Sequence, residues 1–167
     1  VVVTGAFTGA VFTAQVFYLA RDYGMETSVG GVVSIAVCRE LAPVLVGLML
    51  TGRVGASMAA EIGTMKVTEQ IDALRAMGVN PAGYVVVPRL IAIVISVPLL
   101  IAEAILFGII ATYFVGVVMN DIPGAFFMHN LDQFTELEDI AFGMIKGFVF
   151  GILICLISCH QGLITTD

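Results

Sequence analysis

The sequence predicts an all-α integral membrane protein, with four transmembrane helices and one short cytoplasmic helix. Of the 167 residues, 59% are hydrophobic and only 12% are charged, whereas soluble domains average about 45–50% apolar and about 25% charged residues. Four apolar stretches each reach the roughly 20 residues that a membrane span requires. A net charge of −6 argues against a nucleic-acid partner, because phosphate binding needs clustered cations.

The first two spans are predicted at about residues 1–20 and 29–60. The first has no charged residue, and Gly5 and Gly9 lie one turn apart, a spacing that favours close helix packing. The second is too long to cross a hydrocarbon core of about 30 Å as one straight helix. It also contains Pro43, which removes a backbone donor. A bent or broken second helix is therefore expected.

The third and fourth spans are predicted at about residues 88–119 and 140–160. Each has a face of small residues at four-residue spacing, which favours helix contacts over ligand binding; these residues are Gly108, Thr112 and Gly116 in the third span, and Gly143, Gly147 and Gly151 in the fourth. The cysteines, Cys38, Cys155 and Cys159, are interpreted as small residues at helix contacts. No metal site is predicted, because Cys155, Cys159 and His160 have no fourth ligand nearby.

The basic residues predict the orientation in the membrane. Between the second and third spans the chain has Arg53, Lys66, Arg75 and Arg89, whereas residues 120–139 contain acidic side chains and no Lys or Arg. By the positive-inside rule the basic side is cytoplasmic and the acidic loop lies outside.

The cytoplasmic segment, about residues 61–78, has the pattern of an amphipathic helix. Thr68 is placed to cap its start, Val67, Ile71 and Leu74 recur on one face, and Gly78 is placed to end it. The alternative, a helix lying on the lipid surface, is normally basic. Mixed charge beside an apolar stripe instead favours docking into a groove on a partner protein.

A specific resemblance enters at this segment. The run from Arg39 to Pro81 reads RELAPVLVGLMLTGRVGASMAAEIGTMKVTEQIDALRAMGVNP. It resembles the signature of MlaE-type permeases, the membrane subunits of ABC lipid transporters that maintain outer-membrane lipid asymmetry. The most specific parts are the R-E-L-x-P-V step and the core E-I-G-x-M-x-x-x-E-Q-I. The resemblance extends from Gly5 to Gly162.

This resemblance implies an activity and a set of partners. Such permeases move phospholipid between the inner membrane of Gram-negative bacteria and a periplasmic MCE-domain protein, usually a hexamer. They act as homodimers with two cytoplasmic ATPase subunits, to which a STAS-domain protein often binds. Members have five spans and an interfacial helix, so this chain is expected to be part of a longer protein. No cofactor is expected on this chain, because ATP binds the ATPase and no phosphate-binding G-x-x-x-x-G-K-[ST] motif is present.

The resemblance also assigns candidate site residues. The segment 61–78 corresponds to the coupling helix that docks on the ATPase, and its candidate contacts are Glu61, Met65, Lys66, Glu69, Asp72 and Arg75. The candidate lipid-cavity residues are Phe17, Tyr18, Arg39, Glu40, Glu103 and Lys146. No catalytic residue is predicted.

Three alternatives remain open for the cavity residues. Charges within a span are costly and face a cavity or each other, so Glu40 or Glu103 could instead pair with Lys146 or Arg39 purely for folding. Phe17 and Tyr18 could belong to an interfacial aromatic belt. The rival function is an ion-coupled secondary transporter with Glu40, Glu103 and Lys146 as a proton relay. A lipid-modifying enzyme would need a nucleophile or metal set that the sequence lacks.

Overall fold

The computed structural model describes residues 1–165, and within them the chain forms helices and turns and no strand. Four helical segments are long and apolar enough to cross a membrane: Val2–Asp22, Val29–Val67, Ala82–Met119 and Leu137–Ile164. The predicted all-α membrane fold with four spans is confirmed. Thr166 and Asp167, the end of the predicted permease domain at 1–167, lie outside the described residues.

The four spans contain most of the regular elements. The first is α1 (Val2–Asp22), which a short 3₁₀ turn, Glu26–Ser28, connects to the second. The second consists of α2 (Val29–Ala36), α3 (Ala42–Leu50) and α4 (Ala56–Val67), and α5 (Gln70–Ala76) follows. The third contains α6 (Val87–Tyr113) between π turns at Ala82–Val86 and Phe114–Met119. After α7 (Gly124–Phe134), α8 (Leu137–Ile164) forms the fourth span.

The second span is one continuous helical segment, Val29–Val67, so the predicted break is wrong, whereas the predicted bend stays a prediction. Two π turns, Val37–Leu41 and Thr51–Gly55, join its α-helical parts. At the first, the Ala42 N–H donates to the Val37 carbonyl, five residues back. Pro43 has no N–H for the carbonyl four residues before it, so the wider hydrogen-bond ring absorbs the proline without breaking the helix.

The chain divides into two compact units, and the first comprises Val1–Val46 and Leu99–Lys146. Its core is a cluster of buried apolar side chains from α1, α2, the π turn after α2, and the segment that contains α7. These side chains are Phe17, Val29, Val33, Val37, Ile122 and Phe127.

Glycines bring the helices of the first unit into close contact. A Cβ on Gly5 would lie 3.0 Å from the Ala104 carbonyl oxygen, and one on Gly9 would overlap the backbone of Gly108. Gly143 on α8 likewise faces the backbone carbonyl of Cys38. The predicted packing role of these small residues is confirmed, since no larger side chain fits at these positions.

The helix α7 was not predicted, because residues 120–139 were interpreted as an acidic loop. Phe127 is fully buried and lies against Gly30 and Gly116. The hydroxyls of Ser34 and Thr135 are 2.6 Å apart at the end of α7. Phe127, Leu131 and Phe134 recur at helical spacing, so this segment has an apolar face that its acidic residues obscured.

The second unit comprises Gly47–Pro98 and the part of the chain that begins at Gly147. Gly151 on α8 faces Ile93 and Val97 on α6, and Gly162 faces Ile62 on α4. The buried face of α8 in this unit is formed by small side chains: Gly147, Gly151, Cys155, Ser158, Cys159 and Gly162.

The cytoplasmic segment differs from the single helix predicted over 61–78. Helix α4 continues to Val67, and a turn at Thr68 and Glu69 precedes α5. Thr68 does not cap α5, because its hydroxyl donates back to the Thr64 carbonyl, a common alternative for threonine. The predicted C-terminal cap is confirmed: Gly78 has a φ of 76°, and the Val79 N–H donates to the Leu74 carbonyl at 3.0 Å.

Candidate functional site

Four charged side chains meet in the first unit and form what we call the charge cluster: Arg39, Glu40, Asp139 and Lys146. The Lys146 Nζ lies 2.6 Å from the Glu40 Oε1, and the Arg39 Nη1 lies 3.5 Å from the Asp139 Oδ1. Because Arg39 and Glu40 are neighbours on a π turn, each pairs with a different residue of α8. Two parallel ion pairs therefore connect the second span to the fourth.

The local sequence explains how α8 comes so close to the π turn. Gly143 presents no side chain to the Cys38 carbonyl or to the Pro43 ring, which leaves Lys146, one turn further along, beside Glu40. The Lys146 Nζ also donates to the Arg39 carbonyl at 3.1 Å. Pro43 cannot donate to that carbonyl in α-helical register, so Lys146 meets both a carboxylate and a backbone acceptor that lacks its usual partner.

Sequence reasoning missed two members of this site. Asp139 was assigned to the outer acidic loop, yet its side chain is only 13% exposed and faces Arg39. The Arg39 guanidinium also lies over the Phe142 ring, 5.3 Å from the ring centroid, which is a cation–π distance. A signal existed for Asp139, since it precedes Lys146 by two helical turns and so shares its face.

Three other candidate cavity residues lie apart from these pairs. Glu103 on α6 is half-buried and makes no ion pair within residues 1–165. Phe17 is 7% exposed and belongs to the core, whereas Tyr18 is 67% exposed. The two aromatic neighbours therefore do not share one surface, and Tyr18 alone is available for contact with a lipid.

The candidate coupling residues are spread over three elements of the second unit. Glu61, Met65 and Lys66 lie on α4, Glu69 lies in the turn, and Asp72 and Arg75 lie on α5. Asp72 is the centre of their contacts: the Lys66 Nζ donates to its Oδ2 at 3.4 Å, and the Arg75 Nη1 donates to its Oδ1 at 3.1 Å. The first of these bonds connects α4 to α5 across the turn, and the second lies within α5.

Two further features define the surface around α4 and α5. Glu61 accepts a hydrogen bond from the Arg89 Nη2 at 2.8 Å, and the Arg89 Nη1 donates to the Met58 carbonyl at 3.2 Å. Glu69 has a φ of 59°, a conformation that is costly for a residue with a side chain.

The apolar side of this segment is only partly used within the chain. Ile71 is fully buried, whereas Val67, Met77 and Val79 are exposed. An exposed apolar surface next to a neutralised charge network is typical of a protein-contact surface.

The site consists of ion pairs between apolar helices. Within the described residues, no group of three or more His, Cys, Asp or Glu side chains could hold a metal ion. The ion pairs, the π turns and the four apolar spans define a multi-pass membrane protein whose polar groups lie within its helices.

The family follows from the sequence comparison. The family model described as Permease MlaE matches residues 1–167, and the chain belongs to this family. The predicted resemblance is thereby confirmed, and the chain is an ABC transporter permease of the MlaE family.

The curated relatives agree. A probable ABC transporter permease protein of Synechocystis is 42% identical over 98% of this chain and 62% of its own length. One from Rickettsia conorii is 43% identical over 97% and 62%, respectively. The chloroplastic protein TRIGALACTOSYLDIACYLGLYCEROL 1 of Arabidopsis thaliana is 36% identical over 98% of this chain and 47% of its own. The chain thus spans about 62% of the bacterial relatives' length.

Proposed function

We propose that this chain moves phospholipid between the inner membrane of a Gram-negative bacterium and a periplasmic MCE-domain carrier. ATP hydrolysis by separate cytoplasmic ATPase subunits supplies the energy, so this subunit is not itself an enzyme. The charge cluster carries the proposal, because it presents cationic groups within apolar spans. A chloroplastic relative named after a glycerolipid supports a lipid substrate.

The charge cluster suits a phospholipid headgroup in two respects. The Arg39 side chain is 49% exposed, so its guanidinium keeps free donors beside the Asp139 pair. Lys146 and Arg39 can each exchange a carboxylate partner for a lipid phosphate, since both groups are charge-assisted hydrogen-bond acceptors. Tyr18, exposed on α1, offers an additional contact for the acyl chains.

The cytoplasmic surface suits an ATPase partner. Val67, Met77 and Val79 expose apolar side chains, and the bond between Lys66 and Asp72 connects α4 to α5. A force on α5 is therefore transmitted to α4, which is the last part of the second span. We propose that closure of the ATPases acts through this connection on a cavity between two copies of the chain.

The remaining partners belong to the same proposal. They are a second copy of the chain, a periplasmic hexamer of MCE-domain proteins, and a STAS-domain protein bound to the ATPase. The coupling residues provide the sharper test of these partners, because they lie on the surface that we propose contacts the ATPase.

The test is a Glu69→Lys substitution in the full-length transporter complex. Glu69 makes no ion pair within residues 1–165, so the reversal changes the docking surface without removing an internal bond. We expect ATP-driven transfer of fluorescent phospholipid between proteoliposomes and MCE acceptor protein to fall at least about tenfold, because a like charge opposed across an interface costs over 1.4 kcal/mol.

The matched control is Glu69→Gln, which keeps the side-chain size and adds no repulsion, and it should retain most of the transfer. Transfer that is unchanged in Glu69→Lys would remove the coupling assignment. Transfer that needs no ATPase and follows a pH gradient would instead support the ion-coupled carrier, in which Glu40, Glu103 and Lys146 relay protons.

A further inference from the structure

Among residues 1–165, the cations of this chain are paired with acidic side chains, with one exception. Of its seven Lys and Arg residues, six have an acidic partner within 4.0 Å; the pairs are Arg21–Glu26, Arg39–Asp139, Lys66–Asp72, Arg75–Asp72, Arg89–Glu61 and Lys146–Glu40. Arg53 has no acidic partner and no side-chain hydrogen bond among residues 1–165, and it is exposed.

Arg53 lies in the π turn Thr51–Gly55 of the second span, on a surface of small residues. Gly52, before it, has open space where a Cβ would stand, and Ala56 and Ser57, one turn further on, are exposed. We call Gly52, Arg53, Ala56 and Ser57 the Arg53 surface. Because the neighbouring side chains are small, they leave the Arg53 guanidinium uncovered. The Ser57 hydroxyl adds a second hydrogen-bond donor on the same face.

An unpaired cation in this position favours an anion from outside the described residues. Arg53 lies within one of the four segments that are apolar and long enough to span the membrane, where an uncompensated charge is costly. It precedes Glu61 by two helical turns, about 12 Å along the helix. An extended arginine side chain covers about half of that range and so brings its guanidinium closer to the polar edge of the bilayer, where phosphate is the abundant anion.

We propose that the Arg53 surface binds the phosphate group of an anionic phospholipid at the cytoplasmic side of the membrane. The guanidinium donates two parallel hydrogen bonds to the phosphate oxygens, and the Ser57 hydroxyl donates a third. The open space at Gly52 and Ala56 admits the glycerol backbone. This inference rests on the proposed function as a phospholipid permease and adds a headgroup site in the second unit.

A second copy of the chain is the rival occupant, since the spacing of Gly52 and Ala56 also allows helix contact. A two-fold interface at this surface presents the same residues from both copies. The two Arg53 guanidinium groups would then face each other without water, which is repulsive unless an anion lies between them. The charge therefore favours a phosphate over a direct protein contact.

The test measures lipid association in the full-length protein reconstituted into phosphatidylcholine vesicles. Spin-labelled phosphatidylglycerol and spin-labelled phosphatidylcholine are compared by electron paramagnetic resonance, which separates protein-bound from free lipid. We expect Arg53→Gln to lower the selectivity for phosphatidylglycerol about threefold to fivefold, the effect of losing one partly exposed charge pair. Arg53→Lys should retain part of it, because lysine keeps the charge but loses the bidentate geometry.

The matched control is Arg21→Gln, which removes an exposed arginine already paired with Glu26 and should leave the selectivity unchanged. Unchanged selectivity in Arg53→Gln overturns the proposal, as does a loss of dimer without a change in lipid selectivity. Excess inorganic phosphate is added at constant ionic strength as a further test. If it abolishes the selectivity, the Arg53 surface binds soluble phosphate, and the proposal of a lipid ligand is overturned. The assay measures lipid binding and not lipid transfer, so a failure of this proposal can be distinguished from a failure of the transport proposal.

Discussion

The charge cluster of the first unit and the contacts of Asp72 in the second use ion pairs in opposite ways. In the first unit, Lys146 reaches Glu40 across 106 residues of sequence, and the pair joins the second span to the fourth. In the second unit, Asp72 accepts from Lys66 and Arg75, six and three residues away. The long-range pairs fix the distance between spans, whereas the short-range pairs fix the shape of one turn at the cytoplasmic end.

This contrast has an energetic consequence. Breaking one partner of a pair inside an apolar region leaves the other charge uncompensated, which is more costly than losing the pair itself. An exposed pair at the end of a helix contributes at most about 1 kcal/mol, because water replaces the lost partner. The charge cluster should therefore be the energetically sensitive part of the molecule, and Asp72 the tolerant part.

The largest expected effect is that of Gly143→Ala, which acts on the packing beneath the charge cluster. The added Cβ would overlap the Cys38 carbonyl, a backbone atom that cannot rotate away. We expect a loss of about 1–3 kcal/mol in the free energy of unfolding, the usual cost of overpacking. Equilibrium unfolding of the full-length protein in mixed micelles of mild detergent and sodium dodecyl sulfate measures it.

The matched control for this substitution is Gly83→Ala in the second unit. A Cβ there meets no atom within 4 Å, and alanine is favoured over glycine in helical backbone by roughly 0.5–1 kcal/mol. The two substitutions should thus shift stability in opposite directions. Equal losses at both positions would mean that Gly143 does not control how closely α8 approaches the π turn.

The next effect is the coupling between Glu40 and Lys146, measured by a double-mutant cycle with Glu40→Gln, Lys146→Met and the double variant. We expect a coupling energy of about 1–2 kcal/mol, above an exposed pair and below a fully buried one, since both side chains remain partly exposed. The exposed pair Arg21–Glu26, 4.0 Å apart, serves as the reference. A coupling no larger than that of the reference would contradict the proposed difference between the two units.

The sequence was sufficient to predict the features that depend on local pattern. Span number followed from hydropathy, and the Gly78 cap followed from one glycine after a helical repeat. The sequence also limited the possible ion-pair partners of Glu40 to Lys146 and Arg39, because so few charged residues occur within the spans. The choice of Lys146 required the close approach of α8 to the π turn, which Gly143 allows.

The features that the sequence did not predict are those in which a residue can form either of two local structures. Thr68 had the side chain of an N-terminal cap, yet its hydroxyl bonds the preceding turn, and Glu69 takes the left-handed conformation that ends α4. The helix α7 was missed because the acidic residues of the segment 120–139 favoured a loop, although Phe127, Leu131 and Phe134 recur at helical spacing. Asp139 was missed for a similar reason, since a charge next to a loop is normally assigned to the loop.

The smallest expected effect is that of Asp72→Asn, which removes the shared acceptor of Lys66 and Arg75. Both bonds lie on an exposed surface, so the loss in the free energy of unfolding should be about 0.5 kcal/mol. The same micelle unfolding assay measures it, with Gly83→Ala as the reference for a helical surface substitution. A loss as large as the Glu40–Lys146 coupling would contradict this expectation. The connection from α5 to the second span would then depend on the hydrogen bonds of Asp72 rather than on the buried side chain of Ile71.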